Sequence, residues 1–534
     1  MVIVHLADAP DATATRAVLT THRPELVDAF DEALPGARAA IMNRLWTALR
    51  REPVPGVRDH RRIGNDVLTE LTDGRRAIGP ATEPFADRRE LRVHVQSTPD
   101  GPSTAYADPA ELLDALRLPG EYAARLRTEV ANSVANLALA RAAAPAPRPL
   151  SALQGDPQAL AYLEQSVVDG HPLHPGCRAR VGMSTLDVLA YAPEYAPTVD
   201  LPIWEVPRGR WLTTGAGLPP RLPLHPWQAE HLAEQLRAAG VRPTKDFVTT
   251  RPLMSLRTMA SVGDPSRHYK TALAVQMTSA VRQVSPAAVH NGPRVTELLA
   301  LAAGGLALRA LPEVAAGAVL VDNTPHPMLA VALRRAPLPG PGEVWAPVAA
   351  LTEPGLLAEI LSAGYGGHPV AFWRDLVDVL VPPVLALLGR GIGLEAHGQN
   401  LLVRLAYGRP AEAGYRDVGG VRLHPGRLRA AGLGLPVIQG DLLTDDEDEL
   451  RAKPFASLFA VVLARLAYLL ETLHGADPAA LWRLVAEHLE HVAESDKRAL
   501  LGRPLPLKAT TAMRLAERSV DDIWTAVPNP LAGA

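Results

Sequence analysis

The 534-residue sequence predicts an α+β fold in three parts, because the spacing of its apolar residues changes twice along the chain. Helical spacing dominates residues 1–165, short β-like runs between Pro-rich turns dominate residues 166–345, and long helical patterns return in residues 346–534. A single core rarely grows past roughly 250–300 residues. We therefore expect a helix-rich N-terminal domain, a β-rich middle domain and a helical C-terminal domain.

Individual segments support each part in turn. In the first part, residues 25–51 and 126–144 have helical spacing, "LRVHVQS" alternates like a strand, and Pro- and Ala-rich residues 142–158 form a connector. The middle part has β-like runs in "ALAVQMTSAV" and "HPMLAVALRR". The last part has helical patterns in "FWRDLVDVLVPPVLALLG" and "FASLFAVVLARLAYLLETLHG", and its acidic segment "GDLLTDDEDELRAK" is expected to be a solvated loop.

Composition excludes several functional classes. With 54 Lys and Arg against 57 Asp and Glu, the net charge of −3 provides no overall field to attract nucleic acid or an anionic membrane. The single cysteine, Cys177, excludes an intramolecular disulfide, a thiolate-ligated iron–sulfur cluster and a Cys-rich zinc site. The N-terminus lacks a signal-peptide pattern, and no apolar run reaches the ~20 residues of a membrane span. We expect a cytoplasmic protein that binds neither nucleic acid nor membrane.

A locally basic stretch from Arg251 to Val284 stands out in this slightly acidic chain. It carries five cations and one acid, Asp264; the cations are Arg251, Arg257, Arg267, Lys270 and Arg282. Arginine forks match phosphate or carboxylate oxygens, and the neighbouring Ser and Thr hydroxyls add neutral donors. The stretch has neither a Walker A loop nor a dinucleotide fingerprint. It has the chemistry to hold a polyphosphate, although ordinary surface cations would explain it equally well.

A second constellation lies in "GIGLEAHGQNLLVRLAYGRPAEAGYRDVGG". Glu395, His397 and Gln399 alternate at period two, so extended backbone would point all three to one side. Asn400 precedes a predicted β-hairpin and Asp417 follows it, which is the layout that kinase-type folds use to hold Mg²⁺ on nucleotide phosphates. A capping Asn and a turn Asp are the alternative, but the basic stretch upstream favours Asn400 and Asp417 as Mg²⁺ ligands.

Five motifs occur in the order found in a known family. They are "EQSVVDGHPLHPGCRARVG", "LHPWQ", "SLRTM", "KTALAVQMTSAVR" and "EAHGQNLLV" followed by "RDVGG". Over residues 160 to 420 the chain resembles the NRPS-independent siderophore synthetases, the aerobactin synthetase-like (IucA/IucC) family. The resemblance implies an open-hand architecture with thumb-like, fingers-like and kinase-like palm domains, corresponding to residues 1–165, 166–345 and 346–534.

The resemblance also implies a role for each matching residue. Ser255, Arg257 and Thr258 match a phosphate-binding S-x-R-T, and Thr278 and Arg282 match a T-S-x-x-R that binds the carboxylate substrate together with His397. The implied catalytic residues are His397, Arg257, Lys270 and Glu395. The implied ATP-binding residues are His171, His174, Ser255, Arg257, Thr258, Lys270, Gln399, Asn400 and Asp417. Arg178 departs from the family pattern, which usually has Lys there, so the role of that position is open.

The activity implied is siderophore biosynthesis for iron acquisition, with ATP and Mg²⁺ as cofactors. A carboxylate of citrate, or of a similar polycarboxylate, would be adenylated and then condensed with an amine or hydroxyl nucleophile, releasing AMP and pyrophosphate. A homodimer is also implied. Two alternatives remain: a small-molecule kinase with the same metal pair, which would release ADP, and a non-enzymatic siderophore- or iron-binding protein.

Overall fold

The structure is a computed structural model that describes residues 9–98, 101–278, 280–517 and 522–532. Residues 1–8, on which the expected absence of a signal peptide partly rests, lie outside the described residues. The chain forms a mixed α+β fold, which confirms the predicted fold class.

The first part combines helices with an antiparallel sheet. Its elements are α1 (Ala12–His22), α2 (Val27–Arg51), β1 (Val57–Ile63), β2 (Asp66–Leu71), β3 (Arg76–Pro80), β4 (Val93–Gln96), β5 (Ser103–Tyr106), α3 (Pro109–Leu116) and α4 (Ala123–Ala143). The two long helices, α2 and α4, are buried along their C-terminal halves and share one core with the sheet. Both helices lie where apolar spacing predicted them. The five-stranded sheet is larger than the prediction, which identified only β4 clearly.

The middle part is dominated by one sheet. Its elements are α5 (Leu150–Leu153), α6 (Ala159–Gln165), α7 (Thr185–Tyr191), β6 (Val199–Glu205), β7 (Trp211–Gly215), β8 (Arg221–Pro223), α8 (Pro226–His231), α9 (Ala233–Ala238), β9 (Arg242–Pro252), β10 (Thr258–Ser261), β11 (Arg267–Thr271), β12 (Leu273–Met277), β13 (Ala280–Arg282), α10 (Pro286–Ala302), β14 (Leu308–Ala310), β15 (Glu313–Val321), β16 (Thr324–Arg335) and β17 (Glu343–Pro347). Eight strands pair in the order β7-β15-β16-β11-β10-β9-β6-β8. Asp322 and Asn323, both with positive φ (50° and 59°), make the tight turn between β15 and β16.

The last part is mainly helical. Its elements are α11 (Pro354–Tyr365), α12 (Pro369–Gly389), β18 (Ile392–Gly393), β19 (Leu401–Ala406), β20 (Arg409–Tyr415), β21 (Arg422–Leu423), α13 (Pro425–Ala430), α14 (Glu447–Pro454), a π-helix (Phe455–Leu463), α15 (Ala464–His474), α16 (Pro478–Glu487), α17 (Glu494–Leu501), β22 (Leu505–Lys508), α18 (Thr510–Leu515) and β23 (Trp524–Val527). The predicted hairpin is present as β19 and β20, in a sheet ordered β14-β20-β19-β17. The prediction of a solvated loop for "GDLLTDDEDELRAK" was wrong for the second half of that segment, because Asp446 caps a helix that begins at Glu447.

Three cores follow the same order as the three predicted parts. One core holds apolar residues of α1 to α4, a second lies under the large sheet, and a third joins the hairpin sheet to the C-terminal helices. Residues 150–167 pack in the third core although they precede the large sheet in sequence. The exact domain boundaries stay a prediction. Among the described residues, one continuous helix, Glu447–His474, is long and apolar enough to cross a membrane, but most of its apolar stretch is buried inside the protein.

Candidate active site

A buried ion network forms one wall of the site. The Lys270 ammonium, on β11, lies 2.9 Å from Asp417 Oδ1 and 3.2 Å from Glu313 Oε1. Arg334, on β16, lies 3.2 Å from Glu313 Oε1 and 3.8 Å from Asp417 Oδ2. Burial alone would raise the pKa of Asp417, but Lys270, Arg334 and Arg257 together hold that pKa far below its usual range. Asp417 is therefore ionised at every physiological pH.

The "SLRT" segment turns tightly in front of this network. Leu256 has a positive φ of 63°, Ser255 Oγ donates to Thr258 Oγ1 (2.8 Å), and Thr258 N donates back to Ser255 Oγ (3.2 Å). The Arg257 carbonyl accepts from the backbone N–H and the hydroxyl of Thr271. Strand pairing places Thr258 directly opposite Lys270. The turn thus brings two hydroxyls, a guanidinium and an ammonium to one place.

Two arginines in the site lack a carboxylate partner. Neither Arg257 nor Arg282 lies within 4.0 Å of a carboxylate of any described residue, and Arg282 Nε is buried without a hydrogen bond there. Arg257 Nη1 donates to the Gln283 carbonyl (2.6 Å) and Arg282 Nη2 donates to Thr278 Oγ1 (2.6 Å). Burial, with added repulsion from Arg257, lowers the pKa of Arg282 to about 10. Two half-buried cations without a carboxylate partner favour an anionic ligand between them.

The hairpin brings Asn400 and Asp417 together at its base. The Arg416 backbone N–H donates to the Asn400 carbonyl (3.0 Å), which closes the hairpin just before Asp417. Asp417 has φ 71° and ψ 86°, a left-handed conformation that directs it away from β20. Asn400 Nδ2 donates to the Glu395 carbonyl (3.4 Å), and none of the described residues donates to Asn400 Oδ1. The hairpin base therefore offers one carboxylate and one amide oxygen.

The segment from Glu395 to Asn400 is a turn, so the expected one-sided array of Glu395, His397 and Gln399 is wrong. Backbone hydrogen bonds run from His397 N to the Glu395 carbonyl (2.9 Å) and from Asn400 N to the His397 carbonyl (2.9 Å). Glu395 and His397 face one cavity of about 390 Å³, whereas Gln399 does not line it. Burial lowers the pKa of His397 despite the nearby carboxylates of Glu395 and Asp417, so its imidazole is neutral at pH 7.

Five further residues near the site escaped the sequence analysis. Glu395 pairs with Lys508 (2.7 Å), Lys508 with Asp522 (3.0 Å), and Asp522 with Lys453 (2.8 Å). Glu313 and Arg334 complete the network around Lys270. Glu313 and Arg334 could have been noticed only as charged residues at the ends of apolar strands. Nothing in the sequence linked Lys508 or Lys453 to Glu395.

Both histidines of the "GHPLHP" turn accept a backbone hydrogen bond; His174 is buried and His171 is half-buried. His171 Nδ1 accepts from Leu173 N (3.2 Å) and His174 Nδ1 accepts from Gly176 N (2.9 Å). Burial lowers the pKa of His171 to about 3 and that of His174 well below its usual value, so each ring is neutral and carries its proton on Nε2. His171 lines the cavity that His397 faces. The ring centroids of His171 and His174 lie 6.4 Å apart.

Arg178, the departure from the family pattern, is buried away from this cavity. It lies 3.2 Å from Glu194 Oε2 and donates to the Val168 carbonyl (2.7 Å) and to the Val167 carbonyl. These bonds fix the chain before the histidine turn, which indicates a structural role.

One buried carboxylate connects the two halves of the site. Glu164, on α6, accepts from the Met254 backbone N–H (3.1 Å), one residue before the "SLRT" segment, and pairs with Arg416. Arg416 in turn donates to the Gln399 carbonyl through Nε (3.0 Å) and Nη2 (2.8 Å). Glu164 thereby sets the position of the basic turn relative to the hairpin.

Comparison with known proteins identifies two matching families. The IucA / IucC family matches residues 159–217 and 220–353, and the family described as ferric iron reductase FhuF-like transporter matches residues 370–522. The second range contains no cysteine, because Cys177 is the only one in the chain. Thiolate ligation of an iron–sulfur cluster is therefore impossible there.

Relatives and solved structures agree with this result. The chain is 27% identical to the protein y4xN of Sinorhizobium fredii (87% of this chain, 86% of that one) and 24% identical to the staphyloferrin A synthase of Staphylococcus aureus (70% and 73%). The fold is similar to that of the petrobactin biosynthesis protein AsbB of Bacillus anthracis (TM-score 0.77, 18% identity, 95% and 97% covered). It is also similar to that of the ATP-bound aerobactin synthetase IucA of Klebsiella pneumoniae (TM-score 0.73, 19% identity, 93% and 100% covered).

The matched families and the relatives identify an enzyme of the ATP-dependent ligase class. Residues 159–217 and 220–353 match the IucA / IucC family of NRPS-independent siderophore synthetases, and residues 370–522 form an FhuF-like C-terminal region.

Proposed function

We propose that the protein adenylates a carboxylate of citrate, or of a citrate derivative, and condenses it with an amine or hydroxyl. The observation that carries this proposal is the pair of guanidiniums of Arg257 and Arg282, which have no anionic partner among the described residues and lie beside Lys270 and Asp417. Both guanidiniums are half-buried, and an anion that joins them would form charge-assisted hydrogen bonds with them. The phosphates of ATP and a polycarboxylate are anions of this kind, and citrate is the acid that the family resemblance implies.

In the first half-reaction, a carboxylate oxygen attacks the α-phosphorus of ATP. The bond from that phosphorus to the oxygen bridging to the β-phosphate breaks, and pyrophosphate leaves with the electron pair. Arg257 and Lys270 neutralise the charge that grows on the phosphate oxygens. Arg282, with Thr278 beside it, holds a carboxylate of the acid. Ser255 and Thr258 supply neutral donors to the phosphates.

Asn400 and Asp417 are proposed to hold Mg²⁺. Asp417 is fully ionised, and Asn400 Oδ1 receives no hydrogen bond from a described residue, so the pair offers two hard oxygen ligands of which only one is charged. That donor set fits Mg²⁺, which takes one or two carboxylates and completes its shell with phosphate and water. When bound, the ion would reduce the negative charge of the nucleotide phosphates.

In the second half-reaction, the acceptor nitrogen or oxygen attacks the acyl carbon and AMP leaves. His397 lines the cavity, and its neutral imidazole can accept the proton that the acceptor loses. Glu395 is held by Lys508 beside it. The homodimer and the cytoplasmic location stay predictions.

The decisive experiment identifies the phosphorus that is attacked. We expect AMP, and no ADP, to form from ATP in the presence of citrate, with succinate and 2-oxoglutarate as control acids, and we expect hydroxylamine to trap the acyl-adenylate as a hydroxamate. His397→Ala should lose AMP release more than ATP binding, whereas His491→Ala, which changes an exposed histidine, should lose neither. Stoichiometric formation of ADP without AMP would contradict the synthetase assignment and favour a small-molecule kinase. Absence of any nucleotide turnover would favour a non-enzymatic binding protein.

A further inference from the structure

The cavity beside His397 is larger than the reacting groups require. Its volume is about 390 Å³, and it runs from His397 and Glu395 between the first part of the chain and the C-terminal helices. Protein interiors rarely contain voids much larger than a water molecule. Ligand pockets, in contrast, are typically hundreds of cubic ångströms in volume and mostly apolar.

A helix with small side chains creates this space. The π-helix and α15 turn Ala456, Ala460, Ala464 and Ala467 toward the cavity. The large apolar residues of the same π-helix, such as Phe459, pack into the third core instead. A π-helix is rare and usually occurs at functional sites. Here it separates a small-residue face from a bulky face within one continuous helix.

Aromatic and apolar groups form the remaining walls. Phe85 and Tyr468 pack with ring centroids 6.1 Å apart on one side, and Trp482 and Trp524 line other parts of the cavity. Contacts of this kind suit a chain of methylene groups, whose transfer from water is favourable by about 0.8 kcal/mol per CH₂.

The charges around the cavity do not call for an anion. Lys508 and Lys453 are already neutralised by Glu395 and Asp522, in contrast to Arg257 and Arg282, which do not line the cavity. Of the lining residues, Glu83 and Glu471 are exposed and Arg51 is half-buried, and Arg465 adds a second cation over the ring of Phe85 (6.0 Å). The two lysines are therefore not available as partners for a second acid, and the mixed charges of the lining leave the apolar walls as the main binding surface.

We propose that this cavity binds the acceptor of the second half-reaction, and that the acceptor is a primary amine on an unbranched apolar chain of at least four carbons. This inference rests on the proposed function. The ammonium form of the amine first gives one proton to solvent; the neutral nitrogen then attacks the acyl carbon of the adenylate and a C–N bond forms. The bond from that carbon to the phosphate oxygen breaks, AMP leaves with the electron pair, and the proton lost by nitrogen passes to His397. The product is an amide with the alkyl chain lying along the alanine face.

The test compares n-alkylamines from propylamine to hexylamine in the presence of citrate and MgATP. In the wild-type protein, kcat/KM for amide formation should rise about fourfold for each added methylene up to pentylamine. Ala460→Phe fills the cavity and should abolish this rise, while hydroxylamine trapping and citrate-dependent ATP–pyrophosphate exchange stay unchanged. The matched control is Ala358→Phe, on the exposed face of α11, which should retain the rise.

Ala464→Val is a milder replacement that keeps the test usable if Ala460→Phe does not fold, and it should reduce kcat/KM for pentylamine more than for propylamine. The acceptor assignment would be overturned if kcat/KM of the wild-type protein did not depend on chain length. It would also be overturned if the folded cavity variants showed the same dependence as the wild-type protein. Neither result would affect the adenylation step. Absence of citrate-dependent exchange and of AMP would instead overturn the proposed function and this inference with it.

Discussion

At the scale of single residues, the site is organised around Asp417. Spacing along the sequence identifies Asp417, Lys270 and Arg257 as candidates, because each stands out as a polar residue in a recognisable motif. It does not show that Lys270 touches Asp417, or that Glu313 and Arg334 join them, because those contacts connect strands that are far apart in sequence. Local pattern thus predicts which residues matter, and tertiary structure decides their partners.

Replacing Asp417 with Asn should remove the charged ligand without changing its shape. We expect citrate-dependent AMP release to fall on the order of 100-fold or more, because electrostatic stabilisation of the phosphates is lost. The fold should persist, since the Asp417 side chain is 30% exposed and Glu313 remains beside Lys270 and Arg334. Circular dichroism and a Mg²⁺ titration of the AMP rate are the measurements.

Glu412→Gln is the matched control for Asp417→Asn. Glu412 lies on the same hairpin but pairs with Arg309 and Arg404 rather than with the site. It should keep the wild-type rate. Near wild-type activity of Asp417→Asn across the Mg²⁺ titration would contradict the assignment of Asp417 to the metal.

At the scale of elements, the hairpin was predictable and the π-helix was not. Two strand-like runs around Gly408 predict β19 and β20, and the turn at Tyr407 and Gly408 has the positive φ values, 51° and 80°, of a tight hairpin. The segment "FASLFAVVL" is buried throughout, so no alternation of polar and apolar residues distinguishes a π-helix from an α-helix. The turn at Glu395 was missed because a period of two also occurs by chance in short loops.

The Glu164–Arg416 pair, which joins α6 to the hairpin, should be strongly coupled. Glu164→Gln and Arg416→Met should each lower the free energy of unfolding by about 3–5 kcal/mol, because each leaves an uncompensated buried charge. The double variant should lose less than the sum, with a coupling of about 0.5–3 kcal/mol. Urea denaturation of the four proteins measures this cycle.

A surface pair provides the control for that cycle. Arg374 on α12 and Glu487 on α16 are both exposed and lie 3.4 Å apart, so removing them should cost less than about 1 kcal/mol. If the buried cycle gave no more coupling than this surface pair, Glu164 would not set the position of the basic turn.

At the scale of the whole molecule, the site lies where three cores meet. The order of the three parts follows from the change in apolar spacing along the sequence. The packing of the three parts does not follow from that spacing, because residues 150–167 pack in the third core although the large sheet lies between them and the C-terminal helices in sequence. Such long-range contacts carry no local signal. A ligand that touches the basic turn and the hairpin together should therefore stabilise the assembled chain as a unit.

MgATP should raise the melting temperature of the wild-type protein. A ligand at 100 times its Kd stabilises the native state by about 2.7 kcal/mol. Arg257→Ala should lose most of this shift, whereas Arg267→Ala should retain it, because Arg267 is exposed on β11 and pairs with Asp264 (3.0 Å). Thermal scanning at several MgATP concentrations measures the shift. Equal shifts in both variants would exclude Arg257 from nucleotide binding.

The buried lysines of the site also make this chain suited to chemical labelling. The sequence contains only Lys245, Lys270, Lys453, Lys497 and Lys508, because most of its cations are arginines. Lys270 and Lys453 are buried in ion pairs and Lys508 is partly covered, so amine-reactive reagents should modify exposed Lys245 first. Mass-spectrometric mapping of the slower labelling at Lys270 and Lys508 would then report occupancy of the nucleotide pocket and of the neighbouring cavity separately, without any engineered probe.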